Sequence, residues 1–317
     1  MRQPGHLDQD HETQAAQAEL VTDLEPIRAA YRRGVEAGRY QCVTGVEPFE
    51  ATRALVGDEQ VAVAMALEPE WVIDMAETYT GLILTYYGHV IDAGFVFDGI
   101  WTYGDMAYNH ATFCSPAMYR ELIWPQHVRL VEFAHKRGMK FIYHTDGNVN
   151  GVIDLYLEAG FDCLQPLEAK AGMDVGELAP KYGGRLSFFG NIDVMKLATN
   201  DPEVIEEESK TKLAAGMATR EYLYHSDHRV PPRVSRETYQ HLIALIDRYG
   251  RYPDRGPLLL GIAGDVSPEG RGGDFRTRER GVWCERPPGR GVLARRWRGG
   301  GGLRRRRGVR VAGRWRL

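Results

Sequence analysis

Two short runs of polar residues combine the side chains that bind divalent metals. The first is His144-Thr-Asp146, and the second is His225-Ser-Asp227-His228. In an extended chain, residues i and i+2 point the same way, so His144 and Asp146 can face one ligand. Two imidazoles and a carboxylate from neighbouring strands would hold a metal with an open coordination position. The same groups would also suit mutual hydrogen bonding or an anionic substrate, and the spacing leaves both alternatives open.

Polar side chains also follow the other segments that we predict to be strands. They are Asp98, Trp101 and Asp105 after the second strand, Asn148 after the third, Glu168 after the fourth, Asn191 and Asp193 after the fifth, and Arg229 beyond the sixth. In parallel α/β barrels this end of the strands carries the active site.

A nucleophilic serine has little support, since no G-x-S-x-G motif occurs. Cys114 precedes a predicted helix, a position that lowers a thiol pKa, but no base is nearby in sequence.

The elements that must position these groups alternate between short β runs and amphipathic helices. Each strand candidate has four to eight residues rich in β-branched or aromatic types. The six candidates are Tyr40–Val46, Gly94–Trp101, Met139–His144, Phe161–Gln165, Leu186–Asn191 and Glu221–Tyr224. Such alternation predicts a parallel sheet, either doubly wound or a (β/α)8 barrel with two strands unaccounted for. A dinucleotide-binding fold has little support because no G-x-G-x-x-G follows a strand.

Helix starts are marked by capping residues followed by proline. Ser115-Pro116 predicts a helix to Gly138 with a kink at Pro125, and Asp201-Pro202 predicts a helix over 202–216. Ser235 predicts the start of a helix over 236–249. The histidines within helices, His89, His127, His135 and His241, are interpreted as surface or packing residues.

Composition divides the 317 residues into an acidic body and a basic tail. Residues 271–317 contain 16 Arg, no Lys and three acidic residues, a net +13 within a chain whose total is −3. We predict a polar segment over 1–20, an α/β barrel over 21–252 and a disordered Arg/Gly-rich tail over 253–317. The tail is interpreted either as a nucleic-acid-binding segment or, given the absence of lysine, as out-of-frame translation.

Four widely spaced cysteines suit a reducing cytoplasm, and no stretch approaches the ~20 apolar residues of a membrane span.

The segment from Asp23 to Tyr252 resembles the uroporphyrinogen decarboxylase superfamily. The resembling stretches follow the family's order. They are VTGVEPFEATRALVGDE (43–59), DAGFVFDGIW (92–101), SPAMYRELIWPQHVRLVEFAHKRGMKFIYHTDGN (115–148), LEAGFDCLQPLEAKAGMDVGELAPKYGGRLSFFGNID (157–193) and LYHSDHRVPPRVSRETYQHLIALIDRYG (223–250). The resemblance implies a (β/α)8 barrel, and the family's first two strands would precede residue 20. We therefore expect a barrel that lacks two strands.

The same resemblance favours the branch of zinc- and cobalamin-linked methyltransferases and O-demethylases. The family's zinc ligands, H-x-C and a late cysteine, fall on His144, Asp146 and His228, with Glu168 as a further candidate ligand. This set implies zinc-assisted methyl transfer with a corrinoid protein as methyl carrier, and Asp98 or Asp105 would position a proton or the substrate. Trp101, Asn148, Asn191, His225 and Arg229 are expected to contact a small-molecule substrate. The family also forms twofold dimers, so a homodimer is expected.

Two alternatives remain open at this point. The N-terminal R-Q-A-G-R-Y-L-P segment of true uroporphyrinogen decarboxylases is absent, but His228 matches the His of the family's late L-G-H-G turn. A cofactor-free decarboxylase would use Arg229 or Arg233 as the cation and His228 as the proton donor. A non-enzymatic nucleic-acid-binding protein, acting through the Arg/Gly tail, is the third hypothesis and the one that we favour least.

Overall fold

The computed structural model describes residues 25–252 in full, together with the backbone of 256–257 and 284–285. These residues lie in one compact unit that ends at Arg286. The segment predicted over 1–20 and nearly all of the tail predicted over 253–317 fall outside the described residues, so both remain predictions. No described helix is long and apolar enough to cross a membrane.

Six parallel strands form the central sheet, and their order in space is their order in the chain. They are β1 (Cys42–Val46), β2 (Gly99–Tyr103), β3 (Lys140–His144), β4 (Cys163–Gln165), β5 (Ser187–Phe189) and β6 (Tyr222–Leu223). Within the described residues β1 and β6 do not pair, so the sheet is a partial barrel of six strands. The fold class and all six predicted strands are thereby confirmed.

One strand begins later than the sequence predicts. The helix before β2 ends at Asp92, and Gly94 follows with a φ of +92°, so the chain turns before it can extend. The strand starts only at Gly99 rather than at Gly94. This shift of five residues decides where Asp98 and Asp105 lie relative to the two ends of the sheet.

Helices connect the strands and cover the outer face of the sheet. They are α1 (Glu25–Glu36), α2 (Pro48–Val56), α3 (Asp58–Leu67), α4 (Pro69–Asp92), α5 (Pro116–Leu122), α6 (Trp124–His135), α7 (Ile153–Ala159), α8 (Val175–Tyr182), α9 (Val194–Leu197), α10 (Pro202–Met217) and α11 (Arg236–Tyr249), with 3-10 turns at Asn150–Val152 and Ala169–Ala171. Two-residue strands pair Arg39–Tyr40 with Cys284–Glu285, Ala107–Tyr108 with Ala111–Thr112, and Arg251–Tyr252 with Gly256–Pro257.

The predicted caps start the predicted helices. The side chains of Ser115, Asp201 and Ser235 each accept a backbone N–H from the first turn that follows. The kink expected at Pro125 is a full break, because the helix ends at Leu122 and a new one begins at Trp124. Pro125 then lies in the first turn of α6, where its missing N–H leaves no hydrogen bond unmade.

The two faces of the sheet bury different sets of side chains. Alternate residues such as Val43, Ile100 and Phe141 pack outward against the helices in the main core. The inward face forms a second, smaller cluster of Cys42, Trp101, Ile142, Cys163, Phe189 and Leu223 with Tyr40. Since residues two apart share a face, the next inward positions after Ile142 and Cys163 are His144 and Gln165. The strands thus place polar side chains directly above an apolar interior.

Candidate metal centre at the carboxyl ends of the strands

Asp105, His144 and Asp146 bring their ligand atoms together above the inward cluster. One nitrogen or oxygen from each lies within 4.8 Å of the other two. Nε2 of His144 is 4.0 Å from Oδ1 of Asp105 and 3.9 Å from Oδ1 of Asp146. His144 ends β3, Asp146 lies two residues further, and Asp105 comes from the loop after β2. Two adjacent parallel strands therefore supply one nitrogen and two oxygens to the same point.

His144 is held by Gln165, a residue that no motif in the sequence marks. Its Nδ1 makes a short hydrogen bond to Oε1 of Gln165, the last residue of β4, whose side chain is buried. An amide oxygen only accepts, so Nδ1 carries the proton and Nε2 presents its lone pair. That lone pair is on the side of the two carboxylates. A metal-binding histidine has its other ring nitrogen fixed in this way.

Asp146 has one oxygen that no donor satisfies. Its Oδ1 is buried without a hydrogen-bond partner, while its Oδ2 lies 3.7 Å from Nε2 of His228. Burial raises the pKa of this carboxyl. A buried oxygen without a donor is uncommon in native proteins. A bound cation between Asp146 and His144 would satisfy it.

Asp105 is fixed from two directions. Its Oδ1 accepts the backbone N–H of Asp146 at 2.9 Å, which ties the loops after β2 and β3 together. Its own backbone is bonded to α2, through Glu50 and Arg53. Asp105 was expected as a proton-handling group and not as a ligand, but the geometry places it with His144 and Asp146. His228, the expected third ligand, lies on the exposed rim of this cluster.

Comparison with known proteins identifies the family of the chain that carries this site. Residues 40–249 match the family model described as uroporphyrinogen decarboxylase (URO-D). The chain belongs to the URO-D family. Among solved structures it is similar to a methyltransferase from Methanosarcina mazei, with 20% identity, a TM-score of 0.54, and coverage of 66% of this chain and 58% of that one. At this identity the likeness concerns the fold.

A weaker likeness was found to dihydropteroate synthase from Xanthomonas albilineans in complex with 7,8-dihydropteroate. It has 13% identity and a TM-score of 0.35, and it covers 67% of each chain. No curated protein matches the sequence. The chain spans 58% of the length of the M. mazei methyltransferase.

Glu168, the further ligand candidate of the URO-D chain, lies behind the cluster. Its Oε2 accepts the backbone N–H of Gly147 at 2.7 Å, and its Oε1 pairs with Nζ of Lys170 at 2.8 Å. Both carboxylate oxygens are thus engaged, and Glu168 is outside the group of three ligand atoms. It supports the loop that carries Asp146.

Asp98 is at the opposite end of the sheet from the cluster, and its expected placement is wrong. Because β2 starts at Gly99, Asp98 precedes the strand. Its Oδ2 accepts the backbone N–H of Gln41, and its carbonyl accepts the N–H of Lys140. These bonds join the amino ends of three strands, so Asp98 does not reach the site.

Asn148 and Asn191, both expected to bind substrate, make hydrogen bonds that hold loops together. The Asn148 side chain donates to the carbonyl of Ala171 and accepts the N–H of Asn150. Asn191 is fully buried, and its amide donates to two carbonyls while its oxygen accepts the N–H of Val175. Asn191 has no exposed polar atom left for a substrate, which corrects that expectation. Asn148 is only partly buried, and its expected contact with substrate stays a prediction.

Trp101 and His225 line the space below and beside the cluster. The Trp101 ring packs 6.1 Å from that of Phe189, and its Nε1 is buried without a hydrogen-bond partner. The His225 ring meets Phe189 edge-on at 5.2 Å, and Nδ1 donates to the carbonyl of Ser226 at 2.5 Å. Burial lowers the pKa of His225, so it is neutral near pH 7. Arg229 follows His228 and is exposed.

Asp227 and Cys114, which the sequence places in a candidate metal-binding run and before a helix start, are both buried structural residues. Asp227 is fully buried, and its two oxygens accept the backbone N–H groups of Ala169 and Val194. Burial raises the pKa of Asp227 to about 6, and these two donors oppose the shift. Cys114 precedes a helix, yet burial raises its pKa to about 11, so it is not an activated thiol.

Proposed function

We propose that this URO-D-family chain is an enzyme that binds zinc and catalyses methyl transfer or O-demethylation, with a corrinoid protein as methyl carrier. The ligands we propose are Asp105, His144 and Asp146, with His228 available at the rim. The observation that carries the proposal is the buried, unpartnered Oδ1 of Asp146 facing Nε2 of His144 at 3.9 Å. The similarity of fold to a methyltransferase supports the reaction class.

The donor set fits a divalent cation of intermediate hardness. Atoms that share a tetrahedral zinc lie about 3.4 Å apart, given bonds of 2.0–2.2 Å. The His144 nitrogen is 3.9 and 4.0 Å from the two carboxylate oxygens, so modest side-chain rotations would bring all three into range. One imidazole and two carboxylates carry a −2 charge that offsets the cation. An open position would remain for substrate.

A methyl group leaves an ether or thioether as an electrophile and goes to the nucleophile of the carrier, and the oxygen or sulfur left behind becomes an anion. When bound, zinc would polarise that atom and stabilise its developing charge. The chain's own groups handle the proton. His228 is exposed and 3.7 Å from Asp146, so it can carry a proton between solvent and the leaving atom. Trp101, below the cluster, offers an apolar wall to the substrate.

Metal binding by the purified full chain tests the proposal. We expect one zinc per chain, and we expect His144→Ala and Asp146→Asn to weaken zinc binding at least 100-fold in competition titrations. The matched control is His135→Ala, since His135 is also paired with a carboxylate, at 2.7 Å from Asp162, but lies elsewhere. Methyl transfer from a panel of methyl ethers, alcohols and thiols to free reduced cobalamin should fall with the same variants. Failure of the unaltered chain to bind zinc would overturn the proposal.

A cofactor-free decarboxylase is the second candidate, because the matching family model is that of uroporphyrinogen decarboxylase. In that case His228 would donate the proton to the carbanion and the neighbouring Arg229 would stabilise the carboxylate. The two functions differ in their response to a chelator. Release of CO2 from a candidate acid that persists in EDTA and fails in His228→Ala favours decarboxylation, whereas methyl transfer that stops in EDTA favours the metal.

A further inference from the structure

Arg53 on α2 is a nearly buried cation that contacts the backbone of Asp105. Its side chain is only 13% exposed. Nη1 donates to the carbonyl oxygen of Asp105 at 2.9 Å and to Oε2 of Glu50 at 2.9 Å, and Nε donates to Oδ1 of Asp58 at 2.8 Å. Arginine is seldom buried to this extent unless it is paired. One of its hydrogen bonds is directed at a peptide carbonyl 52 residues away in the chain.

Glu50 holds the same residue from the other side. Its Oε2 accepts the backbone N–H of Asp105 at 3.3 Å and also pairs with Arg53. The ion pair of Glu50 and Arg53 therefore engages both the N–H and the C=O of Asp105. The carboxylate of Asp105 remains available on the far side, towards His144. The rotation of the Asp105 backbone is thereby restricted at both of its polar groups.

The platform that carries this ion pair is itself rigid. The Arg53 guanidinium stacks on the ring of Phe113 at 4.3 Å, which fixes its plane. Glu47 caps α2 by accepting the backbone N–H groups of Phe49 at 2.9 Å and Glu50 at 2.6 Å. The start of α2 is thus fixed directly after β1. The long side chain of Arg53 is thereby held in a single conformation.

We propose that Arg53, with Glu50, is a positioning residue that fixes the Asp105 carboxylate opposite His144. As far as Asp105 is a metal ligand, this inference rests on the proposed function. Arg53 itself makes no contact with His144 or Asp146 and acts only through the Asp105 backbone. Residues that orient metal ligands in this way are typically worth 10–100-fold in metal affinity.

The first test uses Co²⁺ as the probe on the full chain, because its visible absorption reports ligand geometry. We expect Arg53→Met to weaken Co²⁺ binding 10–100-fold and to alter the band, and Arg53→Lys to restore part of the loss. The control is Arg120→Met, since Arg120 also pairs with a glutamate, Glu158, and lies over an aromatic ring, away from the site. Equal affinity and an equal band in Arg53→Met and the control would overturn the inference.

The second test needs no metal and separates the two proposals. In the metal-free chain we expect the amides of residues 104–106 to exchange with solvent at least 10-fold faster in Arg53→Met, and unchanged in Arg120→Met. If the unaltered chain binds neither zinc nor Co²⁺, the proposed function fails, and the exchange rates alone decide the positioning role. Unchanged exchange in Arg53→Met rejects it. Should Arg53→Met fail to fold, Glu50→Gln replaces it, with the same direction of effect and a 2–5-fold loss of Co²⁺ affinity.

Discussion

His144 presents its two ring nitrogens to different surroundings, and this asymmetry defines the candidate site. Nδ1 is bonded to Gln165 inside the barrel, while Nε2 faces Asp105 and Asp146. An imidazole in free solution exchanges between tautomers, whereas one fixed acceptor selects a single tautomer. Gln165 therefore determines which nitrogen has a lone pair to offer. The chemistry of the site depends on a residue that need not contact a ligand.

Gln165→Leu should remove the preference of His144 for the Nδ1–H tautomer, because the acceptor that selects this form is lost. We expect nitrogen-15 NMR of the ring to show the Nδ1–H form of His144 in the unaltered chain and a larger share of the Nε2–H form in the variant. Zinc affinity should fall about 10–100-fold, as for other residues that orient ligands. Gln126→Leu is the control, because Gln126 is equally buried but lies on α6. An unchanged tautomer in Gln165→Leu would show that Gln165 does not have this role.

The sequence identifies some of these residues but not others, for a physical reason. His144 and Asp146 are predictable because an H-x-D pair at a strand end projects to one side. Asp98 and Asp105 could not be told apart, since the apolar run before β2 hides the true start of the strand. Gln165 closes the run FDCLQ and looks like an ordinary strand terminus. Arg53 lies within a helix, and only the tertiary fold brings it to Asp105.

The loop after β3 sets the direction in which Asp146 points. Gly147 has a φ of +78°, and its N–H is bonded to the buried Glu168. A Cβ at this position would lie 2.7 Å from Cβ of Ala107 and 2.9 Å from its backbone carbon. Both the backbone conformation and the space therefore require glycine here. The glycine of the motif T-D-G-N is therefore required by the conformation of this loop, whereas its aspartate, Asp146, is the proposed metal ligand.

Gly147→Ala should disturb the site as well as the stability of the fold. The strained φ costs about 1–2 kcal/mol, and the collision with Ala107 adds about 1–3 kcal/mol. Gly138→Ala is a matched control, because Gly138 has a φ of +72° with open space around its Cβ position. Urea unfolding should show a larger loss for Gly147→Ala, and only this variant should lose zinc affinity. Equal losses in the two variants would contradict the argument from space.

The local sequence predicts the helices and strands more completely than it predicts the residues of the candidate site. Ser115, Asp201 and Ser235 are correct helix caps because each needs only a neighbouring N–H. The six strands are correct because short β-branched and aromatic runs separated by helices have few other solutions. The break at Ile123 differs from the expected kink, since the chain could either bend or restart at Pro125. The choice depends on packing that lies outside the local sequence.

Across the whole molecule, one buried polar network connects the edge strand β1 to the helical layer. His127 lies in the first turn of α6, and its Nε2 is 3.0 Å from Oε2 of Glu47. Both side chains are 0% exposed. Its Nδ1 is 2.6 Å from the hydroxyl of Tyr119 on α5. Its ring also packs against Tyr143 on β3, at 5.2 Å. The sequence indicated only a surface or packing histidine, because helical position does not show a partner 80 residues away.

Removing His127 should lower the stability of the whole described sheet. His127→Ala leaves the buried Glu47 with only the backbone N–H groups of Phe49 and Glu50 as partners. Loss of one member of a buried pair costs about 3–5 kcal/mol in comparable cases. At about 2–4 °C per kcal/mol for a domain of this size, the thermal midpoint should fall by roughly 6–20 °C. His135→Ala, which breaks an exposed pair with Asp162, should cost no more than about 1 kcal/mol.

The double variant distinguishes an uncompensated charge from a simple cavity. Adding Glu47→Gln to His127→Ala removes the buried charge and keeps an oxygen to cap α2, so part of the lost stability should return. A cavity alone would leave the two changes additive or worse. Calorimetry of the four chains, unaltered, single and double, measures the coupling directly. Additive losses would mean that the pair contributes only by filling space, and that β1 depends on apolar packing for its attachment to α6.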